Sequence, residues 1–252
     1  MIDILVTGAA GKMGALSAAT IAAQDDLRLV ALVDPKTGDG GDVPWFKDVP
    51  SALALTSPAA ALEFSLPGAV YENAAALLEA GVPTVIGATG LDDDGIAGLS
   101  AKAADTGAGL VIVPNFALGA VLLMKFAAEA ARHYEHAEII ETHEKDKIDA
   151  PSGTSLRTAR LMAEAPGSAL AAPPGAGQAS RGLVADGRVT IHSMRLPGAV
   201  AHQEVVFGGE DEFLTLRHDS LSRRSFMPGV LLAVRKVRAV EGTVVGLENL
   251  LD

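Results

Sequence analysis

The stretch IDILVTGAAGKMG, residues 2–14, decides how this chain folds. Its first six residues are mostly apolar, as is typical of a buried strand, and glycines follow at positions 8, 11 and 14. Glycines there allow a tight turn and the close approach of a pyrophosphate, which the free N–H groups and positive dipole end of the next helix attract. The stretch therefore predicts the strand, turn and helix that open a dinucleotide-binding fold.

The context of this glycine loop supports the prediction more than its spacing does. The spacing is GxxGxxG rather than GxGxxG, and such a turn could also serve only to pack a helix closely on a strand. However, Asp34 follows at the end of the second strand candidate, where an acid can accept hydrogen bonds from an adenosine ribose. Asp34 favours NADH, whereas Lys12 could reach a ribose phosphate. The sequence therefore leaves both NADH and NADPH open.

Composition narrows the class of protein. Apolar residues make up 49% of the 252 residues but aromatic residues only 4%, so the interior must be built mainly from Ala, Val, Leu and Ile. A net charge of −11 argues against a nucleic-acid partner, and the absence of cysteine excludes disulfides and thiolate chemistry. The amino terminus lacks the pattern of a signal peptide, and no apolar run approaches ~18 residues. We expect a cytoplasmic protein that binds no membrane.

The first half alternates strand and helix patterns. Short apolar runs that read as buried strands occupy residues 2–7, 27–34, 59–65, 83–89 and 109–115. Ala-rich helical patterns occupy residues 12–24, 68–80 and 93–106. This order predicts a Rossmann-type parallel sheet that is covered on both faces by helices.

After residue 115 the pattern changes. A helix candidate at 117–134 and the run AEIIETH are followed by strand candidates at 188–196, 200–208 and 212–220 with no helices between them. Strands that follow strands predict a second α+β domain with a mixed or antiparallel sheet. Residues 165–187 are rich in Pro, Gly and Ala and predict a mobile surface loop, and residues 226–240 predict a helix of the first domain. We therefore expect one domain of residues 1–114 and 219–252 and another of residues 115–218.

Two further loops follow strands of the predicted parallel sheet. Gly87-Ala88-Thr89 follows PTVI, and Val113-Pro114-Asn115-Phe116 follows GLVI. Each could be an ordinary strand-to-helix turn. Because ligands bind at the carboxyl ends of parallel strands, one cofactor along this edge could contact both loops and the glycine loop.

The stretch ETHEKDKIDAPSGTS, residues 141–155, places many charges between a strand and a helix. His143 could donate a proton, Lys147 could hold a carboxylate or supply a proton, and Ser152-Gly153-Thr154 could form a carboxylate cradle at a helix start. These features suit a dicarboxylate. A solvated loop with a Ser or Thr helix cap explains the same residue types. We expect no metal site, since the histidines lack metal-ligand spacing.

Several motifs resemble those of one family. VTGAAGKMG, VIGATG, VPNFALGAVLLMKFA and HEKDKIDAPSGTS are similar to successive motifs of the bacterial dihydrodipicolinate reductases, also called 4-hydroxy-tetrahydrodipicolinate reductases. The resemblance continues through MRLPGAVAHQEVVFG, LTLRHDSLSRRSFMPGVLLAVR and VVGLENLLD. It therefore covers nearly the whole chain, and the K-x-DAPSGT segment is its most specific part.

This resemblance implies an NADH- or NADPH-dependent oxidoreductase of diaminopimelate and lysine synthesis. Its substrate would be 4-hydroxy-tetrahydrodipicolinate, and the second domain would bind that dicarboxylate and assemble a homotetramer. The implied catalytic residues are His143 and Lys147, and the implied substrate-binding residues are Glu144, Ser152, Gly153 and Thr154. The implied cofactor-binding residues are Gly8, Ala9, Ala10, Gly11, Lys12, Met13, Asp34, Gly87, Ala88, Thr89, Val113, Pro114, Asn115, Phe116 and Arg223.

One residue departs from the family pattern. The family usually has two adjacent histidines, whereas here His143 is followed by Glu144. A like charge at ~4 Å from a dianionic ligand costs on the order of 4 kcal/mol at an effective dielectric constant of ~20. Glu144 must therefore turn away, be protonated, or be neutralised by Lys145 or Lys147, and we expect it to turn outward and pair. The departure at Glu144 leaves two alternative functions open. The chain could be a relative of this family that acts on a different substrate, or a dinucleotide sensor without catalysis. His143 and Lys147 argue against the sensor.

Overall fold

The computed structural model describes residues 1–36, 38, 41–88, 90–175, 178 and 181–251. The chain forms two compact units, Met1–Phe116 with Phe226–Asp252, and Ala117–Ser225. The first unit is therefore built from both ends of the chain. Compared with the predicted division, the chain returns to the first unit at Phe226 rather than at residue 219.

Twelve strands and seven α-helices are present among the described residues. The strands are β1 (Ile2–Thr7), β2 (Leu27–Val33), β3 (Trp45–Phe46), β4 (Ala60–Glu63), β5 (Thr84–Ile86), β6 (Leu110–Ile112), β7 (His136–His143), β8 (Leu183–Ala185), β9 (Val189–Arg195), β10 (Ala201–Gly209), β11 (Glu212–Ser220) and β12 (Thr243–Val245). The helices are α1 (Lys12–Ala22), α2 (Val49–Leu53), α3 (Val70–Glu79), α4 (Asp93–Thr106), α5 (Leu118–Ala130), α6 (Gly153–Glu164) and α7 (Met227–Lys236). None of these described helices is long and apolar enough to cross a membrane.

The first unit contains a seven-stranded sheet in the order β12-β6-β5-β4-β1-β2-β3. All of its pairings are parallel, which confirms the predicted Rossmann-type sheet. The five predicted strands and three predicted helices are present. Three further elements, β3, α2 and β12, were not predicted, because elements of two to five residues are too short to show a period.

Burial explains why the strands of this sheet read as continuous apolar runs. Ile4, Leu5 and Val6 in β1 are completely buried, which requires cover on both faces. Helices α3 and α4 pack together, and α1 packs against α7. Helix α7, which follows the second unit in sequence, thus packs in the first unit, and its Arg235 forms a surface ion pair with Asp26 at 2.8 Å.

The second unit contains a five-stranded sheet in the order β11-β10-β7-β9-β8. Only the β7–β9 pairing is parallel, so the sheet is mixed, one of the two predicted forms. Helices α5 and α6 cover one face and bury the apolar side chains that point toward them. Ile139 on β7 and Phe207 on β10 are completely buried there.

The prediction of a surface loop throughout residues 165–187 is wrong. Strand β8 lies within this range and pairs with β9. Leu170 is only 4% exposed and belongs to the core of the second unit, and the neighbouring Ala169 N–H donates to the carbonyl of Ala131 at 2.9 Å. Because this stretch is rich in Pro, Gly and Ala, the sequence pattern does not indicate that Leu170 is buried or that three of the residues form a strand.

Candidate active site

The glycine loop forms a cradle at the carboxyl edge of the first sheet. Gly8 has φ +62°, and a Cβ there would lie 2.3 Å from the carbonyl oxygen of Phe64, so only glycine fits. Gly11 is the N-cap of α1, and no side chain in the described part of the chain caps this helix. Its N-terminal N–H groups and dipole therefore suit an anion. These residues fit the pyrophosphate of a dinucleotide.

Asp34 lies just after β2, beside the glycine loop. One carboxylate oxygen accepts a hydrogen bond from the N–H of Ala10 at 3.2 Å, and the other accepts one from the N–H of Lys36 at 2.9 Å. These bonds fix the carboxylate but leave lone pairs on both oxygens. Asp34 can therefore accept hydrogen bonds from ribose hydroxyls. Lys12, at the start of α1, is exposed.

The other two predicted cofactor loops meet at Gly87. A Cβ on Gly87 would lie 2.3 Å from the ring of Phe64 and 2.4 Å from the ring of Phe116. The two rings pack edge to face, with centroids 5.6 Å apart. Phe64, which was not among the predicted site residues, thus joins the glycine loop to both later loops.

The remaining predicted residues of these loops differ in exposure. Val113 is only 2% exposed, so its side chain belongs to the core, whereas Pro114 is exposed. Ala88 and Asn115 are half-buried. At the glycine loop, Ala9 is buried and Met13 is half-buried. Thr89 lies outside the described residues.

A buried carboxyl group lies beneath this edge. Glu63 ends β4 with no exposed surface and accepts hydrogen bonds from the hydroxyl of Thr7 and from the N–H of Ser65, the latter at 2.6 Å. Burial raises the pKa of Glu63, although the Ser65 and Thr7 side chains oppose that shift. Glu63 is not among the predicted site residues. An acid inside an apolar strand pattern is nevertheless a feature of the sequence that could have indicated it.

In the second unit, β7 ends in two polar side chains that contact each other, Glu141 and His143. Glu141 has no exposed surface, and its carboxylate contacts Nδ1 of His143 within hydrogen-bonding distance. The guanidinium of Arg195 on β9 lies 3.0 Å from the same carboxylate. Burial would raise the pKa of Glu141, but the Ser193 and His143 side chains and Arg195 outweigh it, so that pKa lies below its ordinary value.

The pKa of His143 also lies below its ordinary value. Burial is the largest cause, because it disfavours the charged imidazolium. Glu141 opposes this shift, and the positive charges of Lys147 and Arg195 add to it. His143 is therefore neutral over more of the pH range than an exposed histidine.

The loop after β7 carries Lys147, whose ammonium lies 2.7 Å from both carboxylate oxygens of Asp149. Arg195 also holds this loop, since its Nε donates to the carbonyl of Lys147 at 3.2 Å and its Nη2 to the carbonyl of Asp149 at 2.6 Å. The predicted catalytic pair, His143 and Lys147, thus shares one neighbouring arginine.

The start of α6 follows this loop in the sequence, and its N–H groups and dipole suit an anion. Ser152 is the N-cap, and its hydroxyl accepts a hydrogen bond from the N–H of Ser155 at 3.2 Å. Because Ser152 is only 3% exposed, it serves as a cap, as the simpler interpretation expected. Gly153 is exposed, and a Cβ there would meet nothing within 4 Å. The space for a ligand is therefore at Gly153, with Thr154 half-buried beside it.

A buried amide supports this helix start. Gln203 on β10 accepts a hydrogen bond from the hydroxyl of Ser155 and donates one to that of Thr158, both at 2.8 Å. Gln203 could not be predicted, because its partners are more than 40 residues away in the sequence. The three buried polar groups satisfy one another and fix α6 against the sheet.

Two predicted residues form an ion pair with each other. Glu144 is half exposed, and its carboxylate lies 3.5 Å from the guanidinium of Arg223, which was predicted to bind the cofactor. Arg223 belongs to the second unit. The described residues contain no group of three or more His, Cys, Asp or Glu side chains that could hold a metal ion.

Both halves of the chain match one family. The pattern described as Dihydrodipicolinate reductase, N-terminus matches residues 2–116, and the pattern described as Dihydrodipicolinate reductase, C-terminus matches residues 119–251. The chain belongs to the dihydrodipicolinate reductase family. It is accordingly an NAD(P)H-dependent oxidoreductase, and its N-terminal half is the dinucleotide-binding domain of that family.

Individual dihydrodipicolinate reductases agree with this assignment. The 4-hydroxy-tetrahydrodipicolinate reductase of Moorella thermoacetica is 43% identical, with 100% of this chain and 98% of that protein covered. That of Synechococcus elongatus is 40% identical, with 99% and 98% covered. The structure of a dipicolinate-bound dihydrodipicolinate reductase from a Paenisporosarcina species superposes with a TM-score of 0.88 at 38% identity, with both chains fully covered. A probable dehydrogenase from Thermotoga maritima, 14% identical at a TM-score of 0.70 over 99% of this chain and 92% of that one, shares the fold.

Membership of the dihydrodipicolinate reductase family confirms the predicted fold class, enzyme class and nicotinamide cofactor. The roles of individual residues remain predictions.

Proposed function

We propose that this chain reduces 4-hydroxy-tetrahydrodipicolinate to tetrahydrodipicolinate, with loss of water, in diaminopimelate and lysine synthesis. The observation that carries the proposal is the arrangement around Glu141. His143 contacts its carboxylate, and Arg195 links that carboxylate to the loop that bears Lys147. An acid–base group and a cation, followed in the sequence by an open helix start, suit a dicarboxylate that takes up a proton.

The first unit would hold the cofactor. Gly8 and Gly11 would cradle the pyrophosphate, and Asp34 would accept hydrogen bonds from the adenosine ribose. The reduced nicotinamide supplies the hydride when it is bound. Both NADH and NADPH are included in the proposal, because Asp34 favours the free ribose hydroxyl and the exposed Lys12 favours a phosphate.

His143 would supply the proton. Its Nδ1 faces Glu141, so Nε2 remains for the substrate. A dianionic substrate favours the imidazolium, and its arrival would therefore raise the pKa that burial lowers. After hydride addition to the unsaturated ring, Nε2–H would donate to the atom on which negative charge has accumulated.

Lys147 and the start of α6 would hold the two carboxylates. The ammonium of Lys147 would exchange Asp149 for one substrate carboxylate, which keeps it charge-paired throughout. The second carboxylate would lie at Gly153 and Thr154, where the helix dipole favours negative charge. Lys147 would thus bind one carboxylate of the substrate, and the start of α6 would bind the other.

The direct test is oxidation of NADH and of NADPH with freshly generated 4-hydroxy-tetrahydrodipicolinate, followed by the absorbance of the reduced nicotinamide. We expect rapid oxidation that depends on the substrate. Cofactor binding without oxidation would overturn the proposal and favour a different substrate or a sensor.

A matched pair of lysine variants tests the assigned site. Lys147→Ala should lower kcat/KM by about a hundredfold or more, because it removes the charge that anchors and stabilises the reacting ring. Lys145→Ala is the control, since that lysine lies on the same loop, is 65% exposed and pairs with Asp146 at 3.6 Å. Equal losses in both variants would contradict the assignment of Lys147.

The same proposal includes a homotetramer assembled through the second sheet. Helices α5 and α6 cover one face, while the opposite face presents Ile140 and Met194, which are 36% and 44% exposed. Light scattering should give about four times the chain mass of 25.7 kDa. Ile140→Lys should dissociate the assembly, and a monomeric wild-type protein would contradict it. A cytoplasmic location stays a prediction.

A further inference from the structure

We propose that Glu141 and Arg195 are positioning residues that act as one unit. Together they determine which ring nitrogen of His143 is presented to the substrate and hold the loop that carries Lys147. This inference rests on the proposed function, because it explains how that site is arranged.

Glu141 is buried by its place on the strand. Side chains alternate along β7, and this alternation places Glu141 inward, in line with Ala137 and Ile139. A completely buried carboxylate is costly unless it is paired and hydrogen-bonded. Here its partners are His143, Arg195 and the Ser193 side chain. The strand therefore contains an acid where an apolar residue would contribute more to the core, which points to a role in the site.

This contact selects the tautomer of His143. A carboxylate accepts hydrogen bonds, so the ring nitrogen that faces Glu141 must carry a proton. That nitrogen is Nδ1. Nε2 then alternates between lone pair and N–H as the ring titrates, which is the arrangement that a proton donor to substrate requires.

Arg195 extends the unit to the loop after β7. One guanidinium contacts the carboxylate of Glu141 at 3.0 Å and the carbonyls of Lys147 and Asp149 at 3.2 and 2.6 Å. Only a planar group with several N–H donors can make all three contacts, and a lysine ammonium has neither the fork nor the span. Arg195 thus connects the acid that orients His143 to the backbone that carries Lys147.

The charges around His143 give this arrangement a measurable signature. The charged groups that face the ring are Glu141 on β7, Lys147 on the following loop and Arg195 on β9. On the other side, β10 places Ala201 opposite His143 and adds no charge. Of these groups only Glu141 favours the imidazolium. Removing its charge must therefore lower the pKa of His143 further.

Glu141→Gln is the main test, because it removes the charge and keeps the shape. The high-pH limb of kcat/KM, where His143 loses its proton, should move to lower pH by about one unit or more. The turnover number should fall on the order of 10- to 100-fold, whereas the KM for NADH should stay within about twofold. Glu138→Gln is the control, since Glu138 lies on the same strand and contacts His192 at 2.6 Å and Arg181. It should leave the limb in place.

A second measurement does not depend on turnover. Titration of the histidine ring signals by NMR should show the His143 transition at lower pH in Glu141→Gln and unchanged in Glu138→Gln. If the wild type does not reduce the substrate but this transition moves, the proposed function fails and the positioning role stands. An unmoved transition in a folded Glu141→Gln protein would overturn the inference.

Arg195→Lys tests the other half of the unit. It keeps the charge beside Glu141 but cannot hold both carbonyls, so the substrate KM should rise about tenfold as the Lys147 loop loses its support. Cofactor binding and thermal unfolding show whether the variant is folded. A folded Arg195→Lys protein with the wild-type substrate KM would exclude the arginine from the unit.

Discussion

The carboxylate of Glu144 lies 3.5 Å from the guanidinium of Arg223, although 79 residues separate the two in sequence. The sequence predicts that Glu144 turns outward and pairs, and its side chain is 54% exposed and paired. Its partner is not Lys145 or Lys147, however, because each of these contacts an aspartate on its own loop. The acid at the position where the family resemblance implies a histidine is thus paired with an arginine that is distant in sequence.

This pair predicts a change in substrate affinity. Glu144→Gln or Glu144→His should lower the substrate KM by about two- to fivefold, because it removes a negative charge near a dianion and releases Arg223. The effect corresponds to at most about 1 kcal/mol, since exposed charges are well screened. It should shrink as ionic strength rises. Steady-state kinetics at low and high salt measure both.

Asp146→Asn is the control for Glu144, because it removes an equal charge from the same loop at a side chain that is 78% exposed. It should change KM little. A higher KM in Glu144→Gln would mean instead that the carboxylate orients Arg223 for the substrate.

Gly87 offers a test of the cofactor edge. Gly87→Ala would place a Cβ 2.3 Å from the Phe64 ring and 2.4 Å from that of Phe116, so both rings and their loops must shift. Such overpacking typically costs about 1–3 kcal/mol. We expect a lower melting temperature and a KM for NADH raised about tenfold, with a smaller effect on the substrate KM.

Gly68→Ala is the matched control for Gly87. Gly68 lies in the segment after β4, as Phe64 does, is exposed, and a Cβ there would meet nothing within 4 Å. Equal losses of NADH affinity in the two variants would show that the ring contacts at Gly87 are unimportant.

Local patterns explain why so much of the fold could be predicted. The strand, glycine turn and helix at residues 2–22 are set by residues close together in sequence. The same holds for the helix cap at Ser152. Hydrophobic periodicity does not predict the elements that are too short to show a period. It also does not predict the burial of Leu170, which lies in a stretch with the composition of a loop.

The supports of the site could not be predicted in this way. Arg195 reaches Glu141 because β7 and β9 pair in parallel, with His143 opposite Arg195 in the register. No local pattern encodes that pairing. Glu63 likewise meets Thr7 only because β4 pairs with β1. The sequence predicts which residues carry chemistry, whereas the sheet register determines which residues contact them.

Asp34 should control the choice of cofactor. Its carboxylate can accept a hydrogen bond from a ribose hydroxyl but repels a ribose phosphate. Asp34→Ala should therefore raise the KM for NADH and raise the ratio of kcat/KM for NADPH to that for NADH by about tenfold. Kinetics with both cofactors measure the ratio. Because Asp34 also accepts from Ala10 N–H, some loss with both cofactors is expected, and an unchanged ratio would contradict the ribose contact.

The buried carboxyl of Glu63 predicts a pH-dependent stability. Its folded pKa lies above the ordinary value of 4.5, so the folded state binds the proton more tightly than the unfolded state. The protonated Glu63 side chain stabilises the folded state fully at pH values below its pKa in the unfolded state. This stabilisation is lost as pH rises through its pKa in the folded state. The buried carboxyl group therefore contributes less to stability as pH rises, despite its hydrogen bonds from Thr7 and Ser65.

Glu63→Gln does not titrate and isolates this contribution. The difference in melting temperature, variant minus wild type, should increase as pH rises from below 4.5 toward neutrality. Expressed as free energy of unfolding, the difference between variant and wild type cannot change by more than about 1.4 kcal/mol per pH unit, because one proton is involved. All other titrating groups are shared and cancel in the difference. A difference that decreases with pH would show that Thr7 and Ser65 stabilise the carboxylate strongly enough to reverse the effect of burial.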